Sequence, residues 1–317
     1  MTDVSGLAMR EAYGRALADY SAINTKVVAL DADTSSSTLS NFFARKFPDR
    51  FFNFGIAEPC MVDAAVGFAL DGMVPFVNAF AALVALRALE QVRTCVCYAR
   101  TNVKIAAGYA GVSDFKDGPT HHAITDIAIM RSLPEMTVIV PADSLEAAAF
   151  VPLIAEYDGP VYFRLNRAAT GVVSQPGENL QIGKGIMRRP GRDVTIVACG
   201  SMVGRSLKAA DLLWQDNVDA GVLELHTIKP IDKDLIISAA RETGAMVSAE
   251  EHTVMGGLGA AVAEALGDSF PVPLVRVGIH DTFARTGPDP DAVMDAFGMG
   301  IADIVNACRM AAGQKRL

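Results

Sequence analysis

Three groups of residues in this chain have the types and spacing that chemistry requires. The first is Glu58, which closes the apolar run FFNFGIAE and opens the apolar stretch PCMVDAAVGFAL. A carboxylate there stands at the carboxyl end of a strand and the amino end of a helix, where open parallel sheets bind ligands. The position equally suits an ordinary first-turn glutamate favoured by the helix dipole. The second group is the segment DGPTHHAITD (117–126), which gathers Asp117, His121 and His122 into a loop with Gly and Pro. Loops of this kind hold acid–base groups, and imidazole titrates near neutral pH. The alternative is a surface turn leading into a helix capped by Thr120. The third group is basic. Arg164 and Arg167 end a strand in FRLNR, and Arg10 lies in an amphipathic first helix. Such guanidinium groups fork onto phosphates or serve as plain surface charge.

Several other chemistries have no signature here. There is no GxxxxGK[ST], no GxSxG, no HExxH and no Cys/His cluster with zinc spacing. GGLG (256–259) opens a helix; it reads first as a tight strand-to-helix turn and only weakly as nucleotide binding. The cysteines are Cys60, Cys95, Cys97, Cys199 and Cys308, an odd number without CxxC, and are expected to be reduced thiols of a cytoplasmic protein. The amino terminus lacks a basic start followed by an apolar run, and no uninterrupted apolar stretch of about 18 residues occurs, so neither signal peptide nor transmembrane helix is expected. A formal net charge of -8 gives no electrostatic reason to bind nucleic acid or an anionic membrane. An anionic substrate would need a local basic pocket.

The elements that must position these groups alternate along the chain. Continuous apolar runs at 26–33, 50–56, 74–80, 103–109, 136–143 and 160–166 suit the buried strands of a parallel sheet. Helices are expected between them, at Glu58–Leu70, at Ala81–Ala99 and after an Asp143-Ser144 cap, with Pro152 kinking the last or ending it early. From 168 to 192 the pattern lapses into Gly, Pro and polar residues, which reads as a connection between domains. Alternation then resumes, with strands in DVTIVACG, GVLELHTI, AMVSAEE and PLVRVGI and helices near 202–213, 232–242, 259–266 and 302–312. A chain of 317 residues with 51% hydrophobic content supports two cores. The expected fold class is α/β: two domains, 1–167 and 193–317, each a mostly parallel sheet flanked by helices.

In order, LDAD-TSS, FGIAEPCMVDAAVGFAL, PFVNAF, DGPTHHAITDIAIMRSLP, MTVIVPAD, DGPVYFRLNR, TIKPID and AEEHTVMGGLGAAVAEAL resemble one family over nearly the whole chain. The family is transketolase, specifically the C-terminal subunit of split transketolases, made of the pyrimidine-binding and C-terminal domains. The resemblance implies that Glu58 contacts N1′ of the aminopyrimidine of thiamine diphosphate, whose thiazolium serves as the electron sink. It implies that Phe80 lies in the aromatic segment packed on that ring. Leu83 stands where the family usually places the stacking aromatic. His121 would contact and polarise substrate oxygens, making it catalytic together with Glu58. Asp117 would read substrate hydroxyls. Arg10, Ser37 and Arg167 would hold the sugar's phosphate, with Tyr109 where a histidine usually stands beside it. Phe115-Lys116 replaces Gly-Glu and His122 replaces Gln, departures that put the substrate's identity in question.

No GDG motif is present; the only GD, Gly267-Asp268, runs into SFPVP. The resemblance therefore implies that this chain supplies no metal ligand. Mg²⁺ and the diphosphate would be held by an N-terminal transketolase subunit, sharing the cofactor in an α2β2 assembly. The implied activity is transfer of a two-carbon ketol unit from a ketose phosphate to an aldose, only in that company. A 2-oxo-acid dehydrogenase E1 β-type subunit, a deoxyxylulose-phosphate-synthase-like chain and a non-catalytic regulatory paralogue are the alternatives.

Overall fold

The computed structural model of the chain describes residues 4–315. The apolar runs of the first half form β1 (Val27–Asp31), β2 (Phe51–Asn53), β3 (Val74–Phe80), β4 (Lys104–Gly108), β5 (Thr137–Ile139) and β6 (Val161–Arg164). The second half adds β7 (Ile186–Arg189), β8 (Val194–Ala198), β9 (Ala220–Glu224), β10 (Thr227–Lys229), β11 (Met246–Thr253) and β12 (Leu274–Ile279). One sheet has the order β10-β5-β6-β4-β3-β1-β2 and the other β12-β11-β8-β9-β7. All pairings are parallel except the edge pairs β10–β5 and β7–β9. Every residue of β1, β4, β6, β8, β9 and β11 is buried, as strands covered on both faces must be, including the polar residues Ser248, Glu250, Glu251 and His252 of β11.

The helices are α1 (Met9–Tyr20), α2 (Ser35–Thr38), α3 (Asn41–Lys46), α4 (Glu58–Leu70), α5 (Ala81–Arg87) and α6 (Leu89–Gln91), followed by a π-helical segment, Val92–Tyr98. Next come α7 (Asp126–Ser132), α8 (Ser144–Glu156), α9 (Met202–Gln215), α10 (Lys233–Thr243), α11 (Leu258–Gly267), α12 (Pro290–Ala296) and α13 (Ile301–Gly313). Met9, Ala12, Tyr13 and Leu17 form the buried stripe of α1, against Ala147, Phe150, Val151 and Ile154 of α8 in one apolar cluster. Burying each large chain contributes about 1.5–3 kcal/mol. A second cluster runs unbroken from Val28, Val77 and Ile105 to Leu223, Ile236 and Val262, so the two sheets share a core.

Four expectations need correction. The helix at 81–99 breaks at Ala88, where φ is -104° and ψ 16°, and continues as a π-helix. Pro152 does not end α8 early, for the helix runs on to Glu156. GVLELHTI is not one strand: it leaves the second sheet after Glu224, and Thr227–Lys229 crosses to pair with β5. Within 168–192, Ile186–Arg189 forms β7 against β9.

Buried polar groups fix how the sheets meet. Glu251, at the end of β11, accepts from the Val112 amide (2.7 Å) and the Asn166 amide group (2.8 Å). Gly111 lies beneath it with φ +63°, and a Cβ there would stand 2.2 Å from Glu251 Oε1, so only glycine fits. Among the described residues no helix is long and apolar enough to cross a membrane.

Candidate active site

The chain leaves β1 for β2 at one edge, then returns to lay β3 on the other side of β1. That reversal is a topological switch point at the carboxyl ends of β1, β3 and β4, and in doubly wound sheets the crevice at such a point is where ligands bind. At the end of β1, the buried Asp31 accepts from the Thr34 amide (2.6 Å) and the Ser40 hydroxyl (2.9 Å), folding the following residues into α2. Burial, outweighing these donors, raises the Asp31 carboxyl above its ordinary value. The turn presents the Ser37 carbonyl to Arg10 Nη1 at 2.7 Å, so the peptide oxygen of Ser37, not its hydroxyl, meets the guanidinium.

Arg10 Nη1 also donates to the Tyr109 hydroxyl at 3.0 Å. Tyr109 follows β4 with φ +59°, a left-handed conformation uncommon for a bulky residue. Its ring lies on Phe80, at the end of β3, with centroids 4.3 Å apart. Both Arg10 and Arg167 face the same ring, at 5.4 and 5.1 Å from its centroid. His121 meets Phe80 edge-on at 5.8 Å, and its Nδ1 is 2.9 Å from the Thr120 hydroxyl. Arg10, Ser37, Phe80, Tyr109, His121 and Arg167 therefore form one continuous set of contacts. Asp117 is exposed on the same loop, its carboxyl beside that of Asp114.

Glu58 opens α4, with Pro59 in the first turn, where its missing N–H costs nothing. The Glu58 side chain is 2% exposed, and its partner is Arg87 Nη1, 3.2 Å from Oε1. Arg87 ends α5, the helix that begins directly after Phe80. Leu83 lies one turn before Arg87 and so shares its face of α5, half-buried. One short helix thus links the carboxylate to the apolar wall made by Phe80 and Leu83.

Four features singled out in the sequence stand apart from this set. Arg164 is buried and bound to Asp126 (Nε–Oδ2 2.8 Å) and to the carbonyls of Ala123 and Glu251, which removes it from any anion. Burial alone would raise the Asp126 carboxyl, but Arg164 and then His252 outweigh it and hold the carboxyl below its ordinary value. Thr120 caps no helix, since α7 begins only at Asp126. His122 lies behind the loop, with Nε2 3.1 Å from the Asp114 carbonyl. That oxygen only accepts, so Nε2 carries the proton. Burial lowers the imidazole's pKa below its ordinary value. The GGLG turn is structural, because the Leu258 and Gly259 amides are capped by the chain's own Glu250 carboxylate.

Two residues at the site had no signal in the pattern. Arg87 looks like a surface charge on an alanine-rich helix. Asp114 is a loop acid, yet it is fully buried, with Oδ1 2.7 Å from Arg167 Nη1. Burial first, and the neighbouring Asp117 carboxyl second, raise its pKa, while Arg167 and His121 act the other way.

Residues 5–172 match the transketolase pyrimidine-binding domain and residues 183–304 the transketolase C-terminal domain. The chain is 39% identical over 299 residues to the 6-deoxy-6-sulfo-D-fructose transketolase subunit SqwH of Clostridium sp. MSTE9, covering 94% of this chain and 92% of that protein. It is 39% identical over 304 residues to a putative transketolase C-terminal section of Methanocaldococcus jannaschii, covering 94% and 95%. A solved structure described as a split gene transketolase, inactive beta4 tetramer, superposes with a TM-score of 0.92 at 45% identity, covering 98% of this chain and all of that one.

Proposed function

Because this chain belongs to the transketolase family, we propose that it is the C-terminal subunit of a split, thiamine-diphosphate-dependent transketolase of the cytoplasm. In that role it moves a two-carbon ketol unit from an anionic ketose, of which sugar phosphates are the reference class, to an aldose. It does so only with an N-terminal subunit that holds the diphosphate and Mg²⁺, most simply as α2β2. The name of the structural relative, an inactive β4 tetramer, supports an incomplete site in the lone subunit.

The observation that carries this reading is the buried Glu58 carboxylate joined through α5 to the half-exposed Phe80 and Leu83. An aminopyrimidine needs such a set: an oxygen for its ring nitrogen and an apolar surface for its face. Leu83 supplies that surface without an aromatic quadrupole. Thiamine diphosphate, when bound, supplies the electron sink that lets a bond beside a ketone carbonyl break. Glu58 holds or yields a proton at the pyrimidine nitrogen. His121, braced by Phe80 and Thr120, polarises a substrate oxygen, and Asp117 reads a hydroxyl from the exposed loop. Arg10 and Arg167, spaced by the Tyr109 ring, receive the anionic end. These retained groups argue against a non-catalytic paralogue.

Glu58→Gln tests the reading in the reconstituted complex. The variant should melt with the wild type yet lose turnover toward the upper end of the 10²–10⁴-fold range that a positioned acid–base group supplies. Wild-type turnover in a complex built on that variant would refute the role.

A further inference from the structure

Arg167 and Arg10 differ in what neutralises them. Arg167 Nη1 is 2.7 Å from Oδ1 of the fully buried Asp114, while the arginine side chain stays 24% exposed at the crevice. A carboxylate in direct contact, shielded from water, cancels most of the field that an incoming anion would feel. The second oxygen of Asp114, Oδ2, is buried with no donor on it among the described residues, and the Asp117 carboxyl lies against this group. The hydrogen-bond partners of Arg10 are both neutral: the Ser37 carbonyl and the Tyr109 hydroxyl. Its buried Nε has no partner among the described residues. Tyr109 Oη accepts from Arg10, which leaves its own hydrogen free to donate while adding no charge. Lys116 is exposed over the Phe115 ring, and His121 faces Phe80. Among the described residues around the Tyr109 ring, then, Arg167 is held by a carboxylate, whereas Arg10 meets only neutral groups.

We propose that Asp114 is a positioning residue that sets the charge of this subsite, and that the sugar end received there carries one negative charge, as a sulfonate or carboxylate does, in preference to a dianionic phosphate. The proposal rests on the ketol-transfer reading above. Arg10 and the Tyr109 hydroxyl satisfy the first charge. A second would lie against the buried Asp114 and the exposed Asp117 beside it, where a like charge is repelled. Asp114 itself acts through Arg167: it holds the guanidinium against the Tyr109 ring, and its carbonyl, accepting from His122, ties down the loop that carries Asp117 and His121.

The test uses the complex reconstituted with its diphosphate-holding subunit, cofactor and Mg²⁺. Three ketose donors identical except for a terminal phosphate, sulfonate or carboxylate are compared by kcat/KM at about pH 8, above the second phosphate pKa of about 6. The wild type should favour a singly charged donor over phosphate by about tenfold, the cost of one unfavourable charged contact. Sulfonate ahead of carboxylate assigns the tetrahedral member of the class, and the reverse assigns the planar one. Asp114→Asn keeps an oxygen for Arg167 and removes the charge; it should move the preference toward phosphate about tenfold or more, through KM with little change in kcat. A wild-type enzyme that prefers the phosphate donor overturns the proposal, whatever the variant does. Dissociation constants of the three sugars, measured by calorimetry on the same complex, rank the terminal groups without turnover. Absence of transfer from all three donors would therefore overturn the ketol-transfer reading, while the binding order still judges this one.

Discussion

Tyr109 shows how a single side chain can tune a crevice. It stacks on Phe80, accepts from Arg10 and lies under Arg167, so every group that could grip a substrate's far end is measured against its ring. Of the other departures from the family pattern, Phe115 supports Arg167 at 5.8 Å, Lys116 is exposed and His122 faces away from the crevice. Tyr109→His should therefore change the order of substrate preference by about tenfold, the scale of one hydrogen bond to a charged group. His122→Gln should leave that order alone, because a glutamine amide also donates to the Asp114 carbonyl. A donor panel run on both variants decides this, and an equal response from the two would place specificity elsewhere. Glu58 and His121 stood out as candidates in the sequence because they sit in the recognisable segments GIAE and DGPTH. Arg87 and Asp114 were not, because their significance comes from contacts across 29 and 53 positions of chain.

Elements were legible where one force dominated. The start and end of α4 follow from Glu58-Pro59 and from an apolar run ended by Asp71-Gly72, and each of β1 to β6 lies within an apolar run. The split of GVLELHTI was hidden, since an unbroken apolar run does not say which sheet each residue joins. The Asp143 cap was visible, but its second task was not. Oδ1 takes the Leu145 and Glu146 amides, while Oδ2 takes the Val173 and Ser174 amides of the connection, both at 2.8 Å. Asp143→Ala thus strands four donors. It should cost about 3 kcal/mol, above the ~1 kcal/mol of an ordinary cap. Chemical denaturation measures that difference, and a loss near 1 kcal/mol would mean the connection is held by other contacts.

Across the whole molecule, the connection is fastened by charge. Arg188 of β7 meets Glu146 of α8 (2.7 Å), Glu178 of the connection (2.6 Å) and Glu224 of β9. Asp143, His226 and Asp232 stand nearby. Burial and the adjoining Glu146 push the Glu224 carboxyl well above its ordinary value, with Arg188 opposing. A raised acid binds a proton in the folded state that the unfolded chain releases above about pH 4.3, so its contribution to stability declines as pH rises from there through the folded value. Glu224→Gln removes that titration, and the fall in Tm between about pH 5 and about pH 8 should shrink. An unchanged slope would mean that the pair holds no shared proton. The central claim is that this chain is half of a catalyst. Its most direct measurement is ketol transfer by the purified chain before and after mixing with the diphosphate-holding subunit, thiamine diphosphate and Mg²⁺. The account predicts no transfer before mixing and steady turnover after it; transfer by the chain alone, or none from the full mixture, would contradict it.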